Sequence, residues 1–175
     1  MSTQTGTVPV TVESFIRAET DLYFTTIAVK QGGFGKLQHH REMMPIDNQT
    51  IIRTNRDALY SSGVFDLDAG SVTLTLPDAG KRFMSLQLIN EDMYSPATIY
   101  QPGPHEFTRE SAGTRYIILG VRTLVDPSDP ADLAKAHALQ NSIGVEQAGQ
   151  GTFEVPRWDP VSQKKIRDAL LVLGT

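Results

Sequence analysis

Apolar and polar positions change their spacing along the chain, and each change marks a change of element. From Thr11 to Lys30 the apolar residues recur at helical spacing, predicting a helix over Val12–Lys30. Thr11 can cap it, Glu13 and Lys30 complement its dipole, and Gly32-Gly33 ends it. Val12, Phe15, Ile16, Leu22, Tyr23 and Ile27 would form its buried face. Glu19 falls at the edge of that stripe, either snorkelling to solvent or pointing an acid into a pocket. Gln31–Met44 carries no clear period, and its glycines predict a loop. Beyond Ser61 the period drops to two. Strands are predicted at Gly63–Leu67, Ser71–Leu76, Arg82–Ile89, Ala97–Tyr100, His105–Thr108 and Arg115–Leu124, split by turns such as Asp68-Ala69-Gly70. In the third of these, Met84, Leu86 and Leu88 share one face. The helical period returns from Pro130, with Leu133, Ala136, His137, Gln140 and Ile143. A loop over Val145–Arg157 follows, and then a last helix capped by Asp159 with Pro160 in its first turn. About six short strands with tight turns predict an antiparallel sandwich or barrel with flanking helices, not a βαβ array. Residues 1–11 are expected to be a flexible N-terminus, and 12–175 one β-rich domain.

The stretch Pro45–Gly70, PIDNQTIIRTNRDALYSSGVFDLDAG, breaks these patterns. Polar side chains of many types alternate with the anchors Ile46, Ile51, Ile52, Leu59, Val64 and Phe65. Polar groups held in place by a core are how sites are built, so a polar site is expected around residues 47–60.

Composition narrows the function classes. The net charge of −4, with no basic block, argues against nucleic acid as partner. The chain has no cysteine, which excludes disulfides, thiolate metal sites and cysteine nucleophiles. No apolar run reaches the roughly 18 residues that span a bilayer. The N-terminus lacks a signal-peptide layout, so the chain as given reads as cytoplasmic.

Three groups of residues could carry chemistry. His39, His40, Glu42 and Asp47 combine imidazole and carboxylate, donors that suit a divalent metal; the other reading is solvated or capping histidines beside an Arg41-Glu42 pair. Asn55, Arg56, Asp57 and Tyr60, with Asn48 upstream, could bind a small polar molecule. Asp57 would be the general base and Tyr60 its phenolic partner, provided that the base is partly desolvated. The alternative is an Asx-type turn. Glu91 and Asp92, with Asn90 and Tyr94, end a good strand, where ligands often bind and turns often form. No Gly-x-Ser-x-Gly elbow occurs, so Ser61-Ser62 has no motif support as a nucleophile. Gly-Gly-Phe-Gly at 32–35 lacks the Lys-Ser/Thr ending of a phosphate loop.

RAETD (Arg17–Asp21), GGFGK (Gly32–Lys36), HHRE (His39–Glu42), the 45–70 stretch, INEDMYSP around Tyr94 and GTRYIILGVRTLVDP (Gly113–Pro127) together resemble the bacterial family known as domain of unknown function 1254. The resemblance implies an antiparallel domain of jelly-roll type with flanking helices, and no settled reaction. Members commonly carry Thr at the position of Ala58, and commonly continue into a second β domain, about where this chain ends at Thr175. A second β domain or a homo-oligomer is therefore an expected partner. Two readings follow. One is a small-ligand-binding or assembly module with its polar site at 47–60. The other is a small-molecule hydrolase, metal-assisted, with Asp57 as base.

Overall fold

A computed structural model of the chain describes residues 6–45, 47 and 55–174. Among these, eight strands form two sheets in which every pair is antiparallel. The larger sheet runs β1 (Gln38–His39), β2 (Ala58–Asp66), β7 (Tyr116–Leu124), β4 (Met84–Asn90), β5 (Ala97–Ile99). The smaller runs β6 (Gly103–Phe107), β3 (Val72–Leu76), β8 (Gly144–Gln147). The helices are α1 (Phe15–Thr25), which continues into a wider π-helical turn over Thr26–Lys30, α2 (Arg109–Ala112), α3 (Pro130–Asn141) and α4 (Pro160–Leu173). The chain is thus mainly antiparallel sheet, with an N-terminal helix and C-terminal helices, as its periodicity predicts.

Alternation explains the sandwich. Val72, Leu74 and Leu76 of β3 meet Met84, Leu86 and Leu88 of β4 and Phe65, Ile117, Leu119 and Val121 of β2 and β7 in one core between the sheets. The opposite face of β2 and β7 is also covered. Val64, Tyr116 and Ile118 pack with Phe24 and Ala28 from the α1 region. Strands buried on both faces read as near-continuous apolar runs, which is why YIIL at 116–119 does not alternate. Gly63 sits in this pair because a Cβ there would lie 2.3 Å from the Lys36 carbonyl oxygen. Lys36 belongs to the Gly-rich segment, whose Gly33 O and Gly35 N bond the backbone of Val64 at 2.8 Å. That segment is a strand-like flank of β2, and these groups are already engaged.

The structure departs from the expected elements in several places. The N-terminal stretch is tied down from Val8, which forms a parallel bridge with Trp158, and Val10 is buried. The helix begins at Phe15, after a Thr11–Ser14 hydrogen-bonded turn, and presents a different face. Val12, Ile16 and Leu22 are exposed, whereas Ala18, Thr20, Asp21, Phe24 and Ala28 are buried. The predicted loop over 145–157 contains β8, recruited by β3 although its own residues are only partly apolar. The predicted loop over 31–44 contains the short edge strand β1. The C-terminal helix starts as expected, with Asp159 accepting from Ser162 N at 2.9 Å, but none of its residues is buried.

At the end of β2, Asp66 is 1% exposed and joins three segments. It accepts from Arg115 Nε and Nη2 at 2.9 and 2.8 Å, from Asp68 N at 3.0 Å and from Thr152 N at 3.1 Å. Burial alone would raise its pKa, but the Arg115 bonds and the two backbone N–H groups outweigh it and hold the carboxyl below its ordinary value. A carboxylate of depressed pKa stabilises the fold above its unfolded pKa, and that contribution is lost as pH falls through the folded value. Asp66→Asn should cost about 3 kcal/mol in urea denaturation at neutral pH, with the deficit shrinking in acid as the wild-type group is protonated. Gly151→Ala should do comparable damage, because a Cβ there would lie 2.4 Å from Asp66 Oδ2 at a φ of 71°. Wild-type stability in both variants would remove Asp66 as a structural anchor.

Candidate functional site

Of the residues expected around 47–60, Asn48 lies outside the described residues, with Ile51, Ile52 and Arg53. Asp47, Asn55, Arg56 and Asp57 are exposed. Asp57 serves the fold through its backbone, its carbonyl accepting from Val125 N at 2.9 Å. An exposed Asp57 lacks the desolvation that a general base working near neutrality needs. Tyr60 is half-buried, and its hydroxyl accepts from Asn55 N at 3.2 Å, as in a local turn. Arg122 lies 6.0 Å above its ring.

The histidine group divides in the same way. His39 Nδ1 is 2.8 Å from Ser61 Oγ across the β1–β2 ladder. Burial lowers the pKa of both His39 and His40, with Arg41 adding to the shift at His39. Glu42 and Asp47 are exposed, and among the described residues no group of three or more His, Asp or Glu side chains is positioned to share an ion. The Ser61–His39 pair is polar and close, but Ser61 is 1% exposed and also accepts from Gln140 Nε2 at 3.2 Å. A nucleophile must be reachable; this one lies inside a packed network. Arg41, bonded to His137 O and Gln140 Oε1 at 3.1 Å each, and Gln140, bonded to His40 O and Tyr60 O at 3.2 Å each, lock the HHRE segment to α3.

The expected strand-end acids lead elsewhere. Arg17 on α1 pairs with Glu91 Oε1 at 3.1 Å and with Asp92. Glu91 is buried, and its other oxygen accepts from Tyr116 N at 2.9 Å. One helical turn from Arg17 stands Asp21, which is 2% exposed. Its Oδ2 accepts from Trp158 Nε1 at 2.8 Å, while its Oδ1 is buried without a hydrogen-bond partner. Burial pushes the Asp21 carboxyl up to about 6; the Trp158 bond and Arg17 oppose the rise, and Glu91 adds to it. Asp21 lines a cleft of about 380 Å³ between α1 and the chain leading into α4, with Leu22, Thr25, Val155, Trp158 and Gln163 among its walls. The N-terminal segment completes the setting. Val8 N bonds Arg157 O, and Asp159 N bonds Val8 O, at 2.8 Å each, so Trp158 is fixed from both sides. The arrangement offers a buried acceptor beside an indole in a mostly apolar recess. Such a recess can hold a small molecule by one directed polar contact.

Asp21 was not among the expected site residues, although RAETD contains it. Val12, Ile16 and Leu22, which the periodicity assigns to the buried face, are turned outward in the structure. The acid that pairs at the edge is Glu19, with Arg167 and Gln163 of α4, and the acid that points inward is Asp21. The signal that could have found it is the phase Ala18, Asp21, Phe24, Ala28: a stripe at helical spacing with one acid in it.

The fold and this cleft define a two-sheet antiparallel domain with a buried acid beneath its N-terminal helix. Residues 34–120 match the family described as "Protein of unknown function (DUF1254)", and over that stretch the chain belongs to it. No curated protein matches. Among solved structures, the crystal structure of the VPA0106 protein from Vibrio parahaemolyticus is similar, with a TM-score of 0.61 at 16% identity. The likeness covers 85% of this chain and 41% of that one, so the matched part spans less than half of that protein's length. At such identity the likeness shows the fold alone.

The raised Asp21 pKa has a definite sign. The folded state favours the neutral acid, so the group's stabilising contribution is complete below about pH 3.8 and is lost as pH rises through about 6. Wild-type stability should fall across that window relative to Asp21→Asn, leaving the variant more stable at pH 7.5 by about 2–3 kcal/mol. The emission of Trp158, the one tryptophan of the chain, should titrate with a midpoint near 6 in the wild type and stay flat in Asp21→Asn. Parallel stability profiles for the two proteins would show that Asp21 is not held in this environment.

Proposed function

We propose that this chain is a small-ligand-binding domain whose site is the cleft beside Asp21. One observation carries the reading: a carboxylate oxygen with no partner, on a residue 2% exposed, in the wall of a mostly apolar recess. Leaving a buried acceptor unbonded costs about 1–3 kcal/mol, which a ligand donor would recover. Arg17 supports the site by binding Glu91 and Asp92, so those two acids fix the helix that carries Asp21 and do not themselves need to meet the ligand. Hydrolysis finds less support: Ser61 is buried, and Asp57 is exposed.

Assembly has its own observation. Val161, Leu171 and Leu173 on α4 are 75%, 63% and 83% exposed, an apolar surface that association with a second β domain or a second copy would cover. Sedimentation of wild type against Leu171→Glu/Leu173→Glu tests this; equal monomeric behaviour at all concentrations would set self-association aside.

A fragment screen read by the Trp158 indole N–H resonance tests the binding reading. Ligands should shift that signal, and Thr25→Phe, which fills the cleft from a half-buried position, should weaken them at least about tenfold while the fold persists. Hits that leave Trp158 unmoved, or that bind Thr25→Phe equally well, would place binding elsewhere.

A further inference from the structure

Resting on the reading that the cleft beside Asp21 holds a small ligand, we infer that the ligand is a small alkyl- or arylammonium ion whose N–H donors reach Asp21 Oδ1. Complementarity argues for a cation with donors. A carboxylate oxygen can only accept, and Oδ2 is already engaged by Trp158 Nε1 at 2.8 Å. Among the described residues Asp21 has no salt bridge, because Arg17, the nearest cation on its helix, is directed at Glu91 and Asp92. Asp21, Glu91 and Asp92 therefore face one guanidinium, and the local excess of negative charge disfavours an anionic ligand.

The Gln163 amide in the lining is also committed. Gln163 Nε2 bonds Ala18 O at 3.3 Å and Glu19 Oε1 at 2.6 Å. Leu22, Val155, Pro156 and Pro160, with Ala18, make most of the remaining wall apolar beside Thr7 and Thr25, so the body of the ligand should be hydrocarbon. The Trp158 ring in the same wall favours a cation over an anion. Arg157, the like charge at this cleft, is exposed, where water and salt screen it. A buried ionised carboxylate is costly without a counter-ion, and an ammonium supplies both the charge and the missing hydrogen bond.

Three probes of closely matched carbon skeleton separate the terms: isopentylammonium, isopentanol and 3-methylbutanoate, each titrated into the full chain and followed by Trp158 emission and its indole resonance. The ammonium should bind at least about tenfold more tightly than the alcohol at pH 7.5, and the acid anion more weakly than either. The advantage should vanish in Asp21→Asn. In the wild type it should fall about tenfold between pH 7 and pH 5, as Asp21 takes up a proton while the ammonium keeps its own. The pH comparison needs no variant, so it decides even where Asp21→Asn folds poorly. Equal binding of alcohol and ammonium, unchanged by pH, would overturn the ammonium assignment and leave the ligand-binding reading standing. No response of Trp158 to any probe, together with no hits in the wider screen, would overturn both. A response to the wider screen but not to the ammonium would overturn the assignment alone.

Discussion

The ladder between β2 and β7 is what the rest of the molecule depends on. Nine residue pairs run from Ala58↔Leu124 to Asp66↔Tyr116 without interruption. Both faces of this pair are buried, one against the small sheet and one against the region of α1. A one-residue slip would exchange those faces and move Phe65, Ile117 and Leu119 out of the main core. The register is therefore specified twice, by two cores of different composition. Leu59 at the other end joins Val125 and, from α3, Ala136 in a third cluster, which ties α3 to the same strand.

Polar side chains secure what the ladder begins. Asp66 with Arg115 closes one end and holds the 148–152 segment against it. Arg41 and Gln140 close the side at β1. Arg17 with Glu91 fastens α1 to the end of β4. These groups satisfy backbone and side-chain atoms that would otherwise be buried alone. Asp21 is different. It lies within the same polar belt, has one oxygen bonded and one not, and stands against a cleft. What distinguishes the site here is an unpaired acceptor in the wall of a cleft.

Much of the fold was legible residue by residue. SVTLTL became β3, Met84, Leu86 and Leu88 went to the core together, and Asp159-Pro160 opened the last helix, because strand alternation and helix caps are local effects. β8 was not legible: Gly144–Gln147 has no strand pattern, and β3 recruits it by offering an open backbone edge. The face of α1 differs from the expected one because Ile16 and Leu22 point outward, while Ala18, Asp21 and Phe24 face in. Among the candidate site residues, Glu91 and Asp92 pair with Arg17, one helical turn from Asp21. Asp57 and the histidines were chosen by residue type, and type carries no information about burial.

Composition and periodicity determined that this chain is an antiparallel β domain with helices at its flanks, since the spacing of apolar residues decides which elements can bury a face; the tertiary structure decided that its strands form two sheets. The second half of the 45–70 stretch supplies β2 and the Asp66 anchor. Only the tertiary structure decided which acid loses its water. Asp21 and Trp158 are 137 positions apart, and only the packing of α1 against the segment before α4 brings them together. Desolvation depends on what surrounds a group in space, and no local pattern in the chain encodes that.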